Sequence, residues 1–250
     1  MSNRTEGLFE TLKAEILSGT YPIGTRFPSE RDVSEKYGVS RITTRDALSR
    51  LCEMGLLRKI PQSGTYVNDY LSEASIDLLV RIMQSVDSID REILFSLLEL
   101  RRTNEVHAAR EAARRMSSED SERLHRLADT GMAHMDDFAT LCNCDYEMHQ
   151  MIIAHSGNRV LPLLFNSFKP VYRHYVEFFY TQPGTGRHVM PLYKKLAAAC
   201  TSQDGEYAAH IMETILLYAE NRVKDGLTYM EDPSQVNLLQ FRQTKRPDAS

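Results

Sequence analysis

Two groups of side chains along this 250-residue chain have types and spacings that can do chemistry. In the first, Arg41 and Arg45 stand four residues apart, with the hydroxyls of Ser40, Thr43 and Thr44 around them. Residues four apart share one face of a helix. A guanidinium there can pair bidentately with guanine, and a hydroxyl can bond a base edge or a phosphate. In the second group, Asp145 and His149 have the same spacing, which places a carboxylate and an imidazole together as acid–base groups or as two ligands of a metal. On its own, such a pair is more often a surface or capping arrangement.

The arginines need a helix presented end-on. Ser29 follows Pro28 and precedes Glu30-Arg31-Asp32-Val33, the composition of a helix start, so a short helix is expected from about Glu30 to Tyr37. Gly38 permits the left-handed backbone that ends a helix, and Ser40 can cap the next, which carries Leu48, Leu51 and Met54 as an apolar stripe until Gly55. Two helices joined by a tight glycine turn form a helix-turn-helix. An earlier helix, near Thr5 to Ser18, brings Leu8, Leu12, Ile16 and Leu17 to its core. Residues 56–67 read as two short strands around a turn, a wing whose tip, Gln62, Ser63 and Gly64, can lie along the backbone or in the minor groove.

These residues resemble the winged helix of GntR-family bacterial transcription regulators. The chain has Pro28-Ser29-Glu30-Arg31, Ser40-Arg41-Ile42-Thr43-Thr44-Arg45-Asp46-Ala47-Leu48 and Gln62-Ser63-Gly64-Thr65-Tyr66-Val67, where the family pattern is Pro-Ser-Glu-Arg, Ser-Arg-x-Thr-x-Arg-x-Ala-Leu and Gly-x-Gly-Thr-Phe-Val. The resemblance implies DNA contacts at Arg31, Arg41, Thr43, Arg45 and Gly64. Gln62 departs from it, standing where the family commonly has the first wing glycine.

The length suits two domains. The formal net charge is −4, and residues 1–70 hold ten Lys and Arg against nine Asp and Glu. Attraction to DNA therefore rests on where the charges sit rather than on their sum. Cys52, Cys142, Cys144 and Cys200 lack zinc-site spacing and read as reduced thiols. No apolar run reaches the ~20 residues of a membrane span, so a cytoplasmic protein without membrane contact is expected.

After Val67, residues 68–73 read as a polar linker. Helical periodicity follows, broken near residues 86–88, 116–118, 156–158, 183–186 and 202–205. Pro162, Pro170 and Pro191 are expected near helix starts or kinks. The expected fold is mainly α: a winged helix-turn-helix of three helices and a small β-wing over residues 1–70, an all-α bundle of six or seven helices over 71–231, and a fraying polar tail over 232–250.

The bundle resembles the C-terminal domain of the FadR subfamily, which implies a small-molecule effector, commonly beside a metal held by Asp-x-x-x-His and two later histidines. Asp145 and His149 match the first pair, but the later positions fall at Tyr193 and Ile215, and isoleucine cannot ligate a metal. No metal and no cofactor are therefore expected. Loss of the metal resembles the fatty-acid metabolism regulators, which implies an acyl-CoA effector. The positions corresponding to that branch's ligand contacts are Leu216, Ala219 and Val223, where the branch has glycine, serine and tryptophan. The alternative is an organic acid anchored by Arg101 with Tyr172 or Tyr193 nearby, because a guanidinium matches a carboxylate bidentately. The expected effector-site residues are Arg101, Asp145, His149, Tyr172 and Tyr193.

Competing roles remain for these residues. Arg101 and Arg102 share a helix with Glu99 and Glu105 and can form surface ion pairs, while Tyr172, Tyr175, Phe178 and Phe179 have the spacing of core aromatics. The expected activity is that of a homodimeric regulator, a repressor, binding double-stranded operator DNA under effector control. The other readings are a metal-dependent effector site at Asp145 and His149, or a small enzyme built on that pair. No nucleophile elbow or phosphate loop supports an enzyme.

Overall fold

The computed structural model describes residues 3–73, 78–79, 89–227 and 235–236. The chain divides into two compact units, residues 1–82 and 83–250.

In the first unit, α1 (Asn3–Leu17) packs on α3 (Arg41–Glu53), and α2 (Glu30–Tyr37) lies against α3. Local chemistry sets the boundaries. The Ser29 hydroxyl accepts from the Asp32 amide and the Asp32 carboxylate accepts from the Ser29 amide, a reciprocal cap on α2. Gly38 closes that helix at φ +64°, and the Ser40 hydroxyl accepts from the Thr43 amide to open α3. The core consists of Leu8, Leu12, Ile16, Phe27, Val33, Ala47, Leu48, Leu51, Leu56, Leu57 and Val67, all buried. A fully buried Leu or Val contributes roughly 1.5–3 kcal/mol over an exposed one.

The hairpin of β1 (Leu57–Ile60) and β2 (Gly64–Val67) pairs Leu57 with Val67 and Ile60 with Gly64. On the other edge of β2, the Phe27 amide donates to the Thr65 carbonyl at 2.8 Å and the Val67 amide to the Thr25 carbonyl at 2.9 Å. The wing is thus anchored on the segment leading into α2. Residues 70–73, expected as linker, form a short helix, α4 (Tyr70–Glu73).

In the second unit, β3 (Ile89–Asp90) leads into a helical bundle of α5 (Arg91–Arg115), α6 (Ser118–Ala133), α7 (Phe138–Ala154), α8 (Leu161–Ser167), α9 (Lys169–Thr181), α10 (Thr185–Thr201) and α11 (Gly205–Leu227). β4 (Gln235–Val236) pairs antiparallel with β3, a small sheet not anticipated in the region expected to be all helix and tail. The expected break at 86–88 and the rest of the 232–250 tail lie outside the described residues.

α5 packs most extensively on α11, and α10 on α6. Small residues allow the close approach. α5 buries Ala108, Ala109, Ala112 and Ala113, and a Cβ on Gly205 of α11 would stand 2.7 Å from the Arg110 carbonyl oxygen of α5. The turn at 134–137 has neither glycine nor proline and was not anticipated. Asp137 marks it, its carboxylate accepting from the Ala139 and Thr140 amides to cap α7. Pro162 and Pro170 lie in the first turns of α8 and α9, whereas Pro191 is inside α10.

Candidate nucleic-acid interface and effector site

In the first unit, the solvent face of α3 carries Arg41, Ile42, Arg45 and Asp46, with Thr43 half-buried beside them. The Thr43 and Ser40 hydroxyls lie 3.0 Å apart. Arg45 points its Nε–Nη2 edge at Glu30 of α2: Nε stands 3.2 Å and Nη2 3.2 Å from Oε2. That leaves the end of the guanidinium, Nη1 with the second Nη2 hydrogen, for a base. Arg31 is exposed beside its neighbours Asp32 and Glu35, 3.7 and 3.8 Å away.

Thr44, expected among the reading residues, is fully buried, and its hydroxyl donates to the Ser40 carbonyl. It precedes Ala47 and Leu48 by three and four residues, which places it on the core side of the helix. That relation was present in the sequence.

At the wing tip, Gln62 adopts φ +61° and Gly64 φ +136°. Gln62 therefore takes the left-handed conformation that a glycine adopts without strain. A Cβ at Gly64 would stand 3.0 Å from Nε of Arg26. Ser63 is tied down by a 2.7 Å hydrogen bond between its hydroxyl and that of Tyr66.

In the second unit, the five residues expected to bind an effector meet in one buried hydrogen-bonded chain that crosses the bundle. Arg101 of α5 is 6% exposed. Its Nε donates to Oε1 of Glu105 at 2.6 Å, and its guanidinium stacks over Tyr172 and Tyr175, 4.5 and 5.0 Å from the ring centres. Glu105 also meets Nδ1 of His149 on α7. Nε2 of His149 lies 2.7 Å from the Tyr193 hydroxyl of α10, which donates to Oδ2 of Asp145 at 2.6 Å. Asp145 accepts further from Tyr180, at 2.9 Å, and from Tyr172.

Burial by itself would raise the Glu105 carboxyl, but the Arg101 and His149 charges hold it down, at about 2. Burial pushes the Tyr172, Tyr180 and Tyr193 hydroxyls well above their ordinary value, with Asp145 adding to it, so they remain donors.

The Arg101 ion pair is thus an interior one, not the surface pair the helix spacing also permitted, and Arg102 instead faces Glu220, 3.5 Å away. Tyr172, Tyr175, Phe178 and Phe179 are core residues. Glu105 and Tyr180 were not anticipated as members of the cluster. Glu105 had a usable signal in its spacing of four from Arg101, whereas Tyr180 meets Asp145 only through the packing of α9 on α7.

This donor set does not fit a metal. Both Asp145 oxygens are taken by tyrosine hydroxyls, both His149 nitrogens are engaged, and Ile215 is a buried apolar residue. Among the described residues no three His, Cys, Asp or Glu side chains form a metal-binding group.

One polar atom of the cluster has no partner. Nη1 of Arg101 is buried and makes no hydrogen bond, and an unsatisfied buried charge-bearing donor is costly. Arg101 borders two small cavities. One, about 10 Å³, is lined with Leu94, Leu97, Leu98, Phe165, Phe168, Val171, Tyr172 and Tyr175. The other, about 20 Å³, is lined with Leu100, Asn104, Glu105, Ile153, Leu161, Leu164, Phe165 and Phe168. Each has room for about one water.

The sequence matches two family models: bacterial regulatory proteins of the gntR family over residues 4–67, and the FCD domain over residues 96–217. It is 30% identical over 214 residues to the HTH-type transcriptional regulator Mce2R of Mycobacterium tuberculosis, covering 84% of this chain and 88% of that one. It is 26% identical over 212 residues to the fatty acid metabolism regulator protein of Proteus mirabilis, covering 84% and 85%. Among solved structures, Lar, which controls expression of the Listeria monocytogenes agr system, aligns over 90% of this chain and 98% of that one with TM-score 0.51 and 14% identity, a likeness of fold alone.

Proposed function

Because the chain belongs to the GntR family of DNA-binding transcription regulators and carries an FCD domain behind its reading head, we propose that it is a repressor whose operator affinity is set by an organic acid bound at Arg101. Arg41 and Arg45 of α3 enter the major groove, with Thr43 and Arg31 on the backbone and the wing tip, Gln62 to Gly64, alongside. Thr44 takes no part, since it faces the core. One small head buries little surface, so two protomers read symmetric half-sites as a homodimer in the cytoplasm. Residues 1–70 form the reader, 71–231 the sensor and dimerisation domain, and the tail follows from 232.

The observation that carries the effector reading is the unpartnered Nη1 of Arg101 beside two small cavities. A carboxylate there would give that nitrogen a charge-assisted hydrogen bond. The cavities are too small for such a ligand as they stand. Phe165 and Phe168, which line both, must move for it to enter, and that movement of α8 against α9 is what links occupancy to the arrangement of the bundle.

An acyl-CoA is the second reading. The names of the fatty acid metabolism regulators favour it, but Leu216, Ala219 and Val223 are all buried core residues here. Thermal unfolding with a panel of carboxylic acids and acyl-CoAs separates the two. An acid that raises Tm and weakens operator binding ~5- to 150-fold supports the first reading. A response to acyl-CoA alone transfers the site to the second, and no response to any member removes effector control.

A further inference from the structure

Ile42 is the most exposed of the large apolar side chains among the described residues, at 82%. The family match does not explain it, and the fold does not use it. The core side of α3 is Thr44, Ala47, Leu48 and Leu51, and Ile42 stands on the opposite side. It is the second residue of the helix, in the first turn, where a helix-turn-helix reader meets base edges. It shares a face with Arg45 and Asp46, three and four residues on. Helical side chains lean toward the N-terminus, here toward the end of the helix that faces DNA.

Its neighbours on that face are polar: Arg41 before it, Thr43 after it, and Arg45 and Asp46 one turn later. Ile42 is thus a single apolar contact among groups that bond to bases or phosphates, not part of a broad apolar patch of the kind that marks a protein interface. In the major groove only thymine presents an apolar group, its C5 methyl. Isoleucine is stiff at χ1, so little rotamer freedom is lost when such a contact forms.

We infer that Ile42 reads the C5 methyl of a thymine in each operator half-site, next to the base that Arg45 reads. The inference rests on α3 being the reading helix. The half-site then needs a thymine at a fixed offset from a guanine, with specificity divided between a bidentate hydrogen-bonded contact and an apolar one.

The test uses the full-length protein and an operator selected from random duplexes. Each thymine is replaced in turn by deoxyuridine, which removes the methyl and leaves base pairing intact. Wild type should lose about fourfold in affinity at one position per half-site, the effect of one buried methyl, and Ile42→Ala should show no loss at that position. Arg45→Ala, assayed beside it, reports whether the helix docks. If Arg45→Ala loses its guanine preference but the deoxyuridine penalty is the same in wild type and Ile42→Ala, or no position shows a penalty, the assignment of Ile42 alone is overturned. If Arg45→Ala keeps its guanine preference, the docking of α3 fails and the assignment of Ile42 fails with it.

Discussion

The Glu30 carboxylate of α2 faces the side edge of the Arg45 guanidinium of α3, with Nε and Nη2 both 3.2 Å from Oε2. Arg45 is 70% exposed, so the pair contributes at most about 1 kcal/mol to stability. On the proposed docking its effect is orientation, since a guanidinium held along its side presents its end to guanine O6 and N7. Glu30→Ala should leave Tm nearly unchanged and raise affinity for random duplex by removing a negative charge. It should also reduce the ratio of operator to random affinity severalfold. An unchanged ratio, measured by fluorescence anisotropy at fixed salt, would show that Glu30 positions nothing.

In the buried cluster, the one hydroxyl of Tyr193 serves both Asp145 and His149. Tyr193→Phe leaves Nε2 of His149 without its hydrogen bond and removes one donor from Asp145, at a cost of about 1 to 3 kcal/mol. Tyr180→Phe should cost less, because Tyr193 still donates to the same Asp145 oxygen. Urea unfolding of the two variants gives the order, and the reverse order would contradict the hydrogen-bond chain.

Acid should weaken the same cluster through Glu105. Its carboxyl is held from an ordinary 4.5 down to about 2, so between those values the folded protein binds fewer protons than the unfolded chain. The stabilisation is complete above pH 4.5 and is lost as pH falls toward 2, about 3 kcal/mol in all at ~1.4 kcal/mol per pH unit. Glu105→Gln, which strips Arg101 of its counter-charge, should be destabilised by about 3 to 5 kcal/mol at pH 7. The gap to wild type should narrow as pH drops through this window; a gap independent of pH would contradict the account.

The wing tip offers adjacent positions with opposite responses. Gly64 has φ +136° and Arg26 packed against it, so Gly64→Ala should destabilise the protein by about 1 to 3 kcal/mol. Gln62 already adopts a left-handed conformation at φ +61°. Gln62→Gly removes that strain and should be neutral or stabilising by up to about 1 kcal/mol. Thermal unfolding of both variants checks the signs.

The reading head was legible because its determinants are local. Ser29 caps within three residues, Gly38 stands at the turn it makes, and Arg41 and Arg45 are one helical turn apart. Thr44, expected among the reading residues, carries a hydroxyl suited to DNA, but its spacing of three and four from Ala47 and Leu48 puts it on the core side of the helix. In the bundle, helical periodicity located most boundaries but passed over the turn at 134–137, which has no glycine or proline. Arg101, Asp145, His149, Tyr172 and Tyr193 could be named from spacing and resemblance, yet their connection could not. Asp145 meets Tyr172, Tyr180 and Tyr193 across separations of 27, 35 and 48 residues, and only the packing of α7, α9 and α10 brings those hydroxyls to one carboxylate.

On the proposed docking, α3 reads base sequence through Arg45. Equilibrium binding of wild type and Arg45→Ala to the selected operator and to random duplex, at one salt concentration, tests it most directly. The expected result is a loss of about 1 to 3 kcal/mol on the operator, a smaller loss on random DNA from the missing charge, and a relaxed preference at one guanine per half-site. Equal weakening on both duplexes, or none on either, would contradict it.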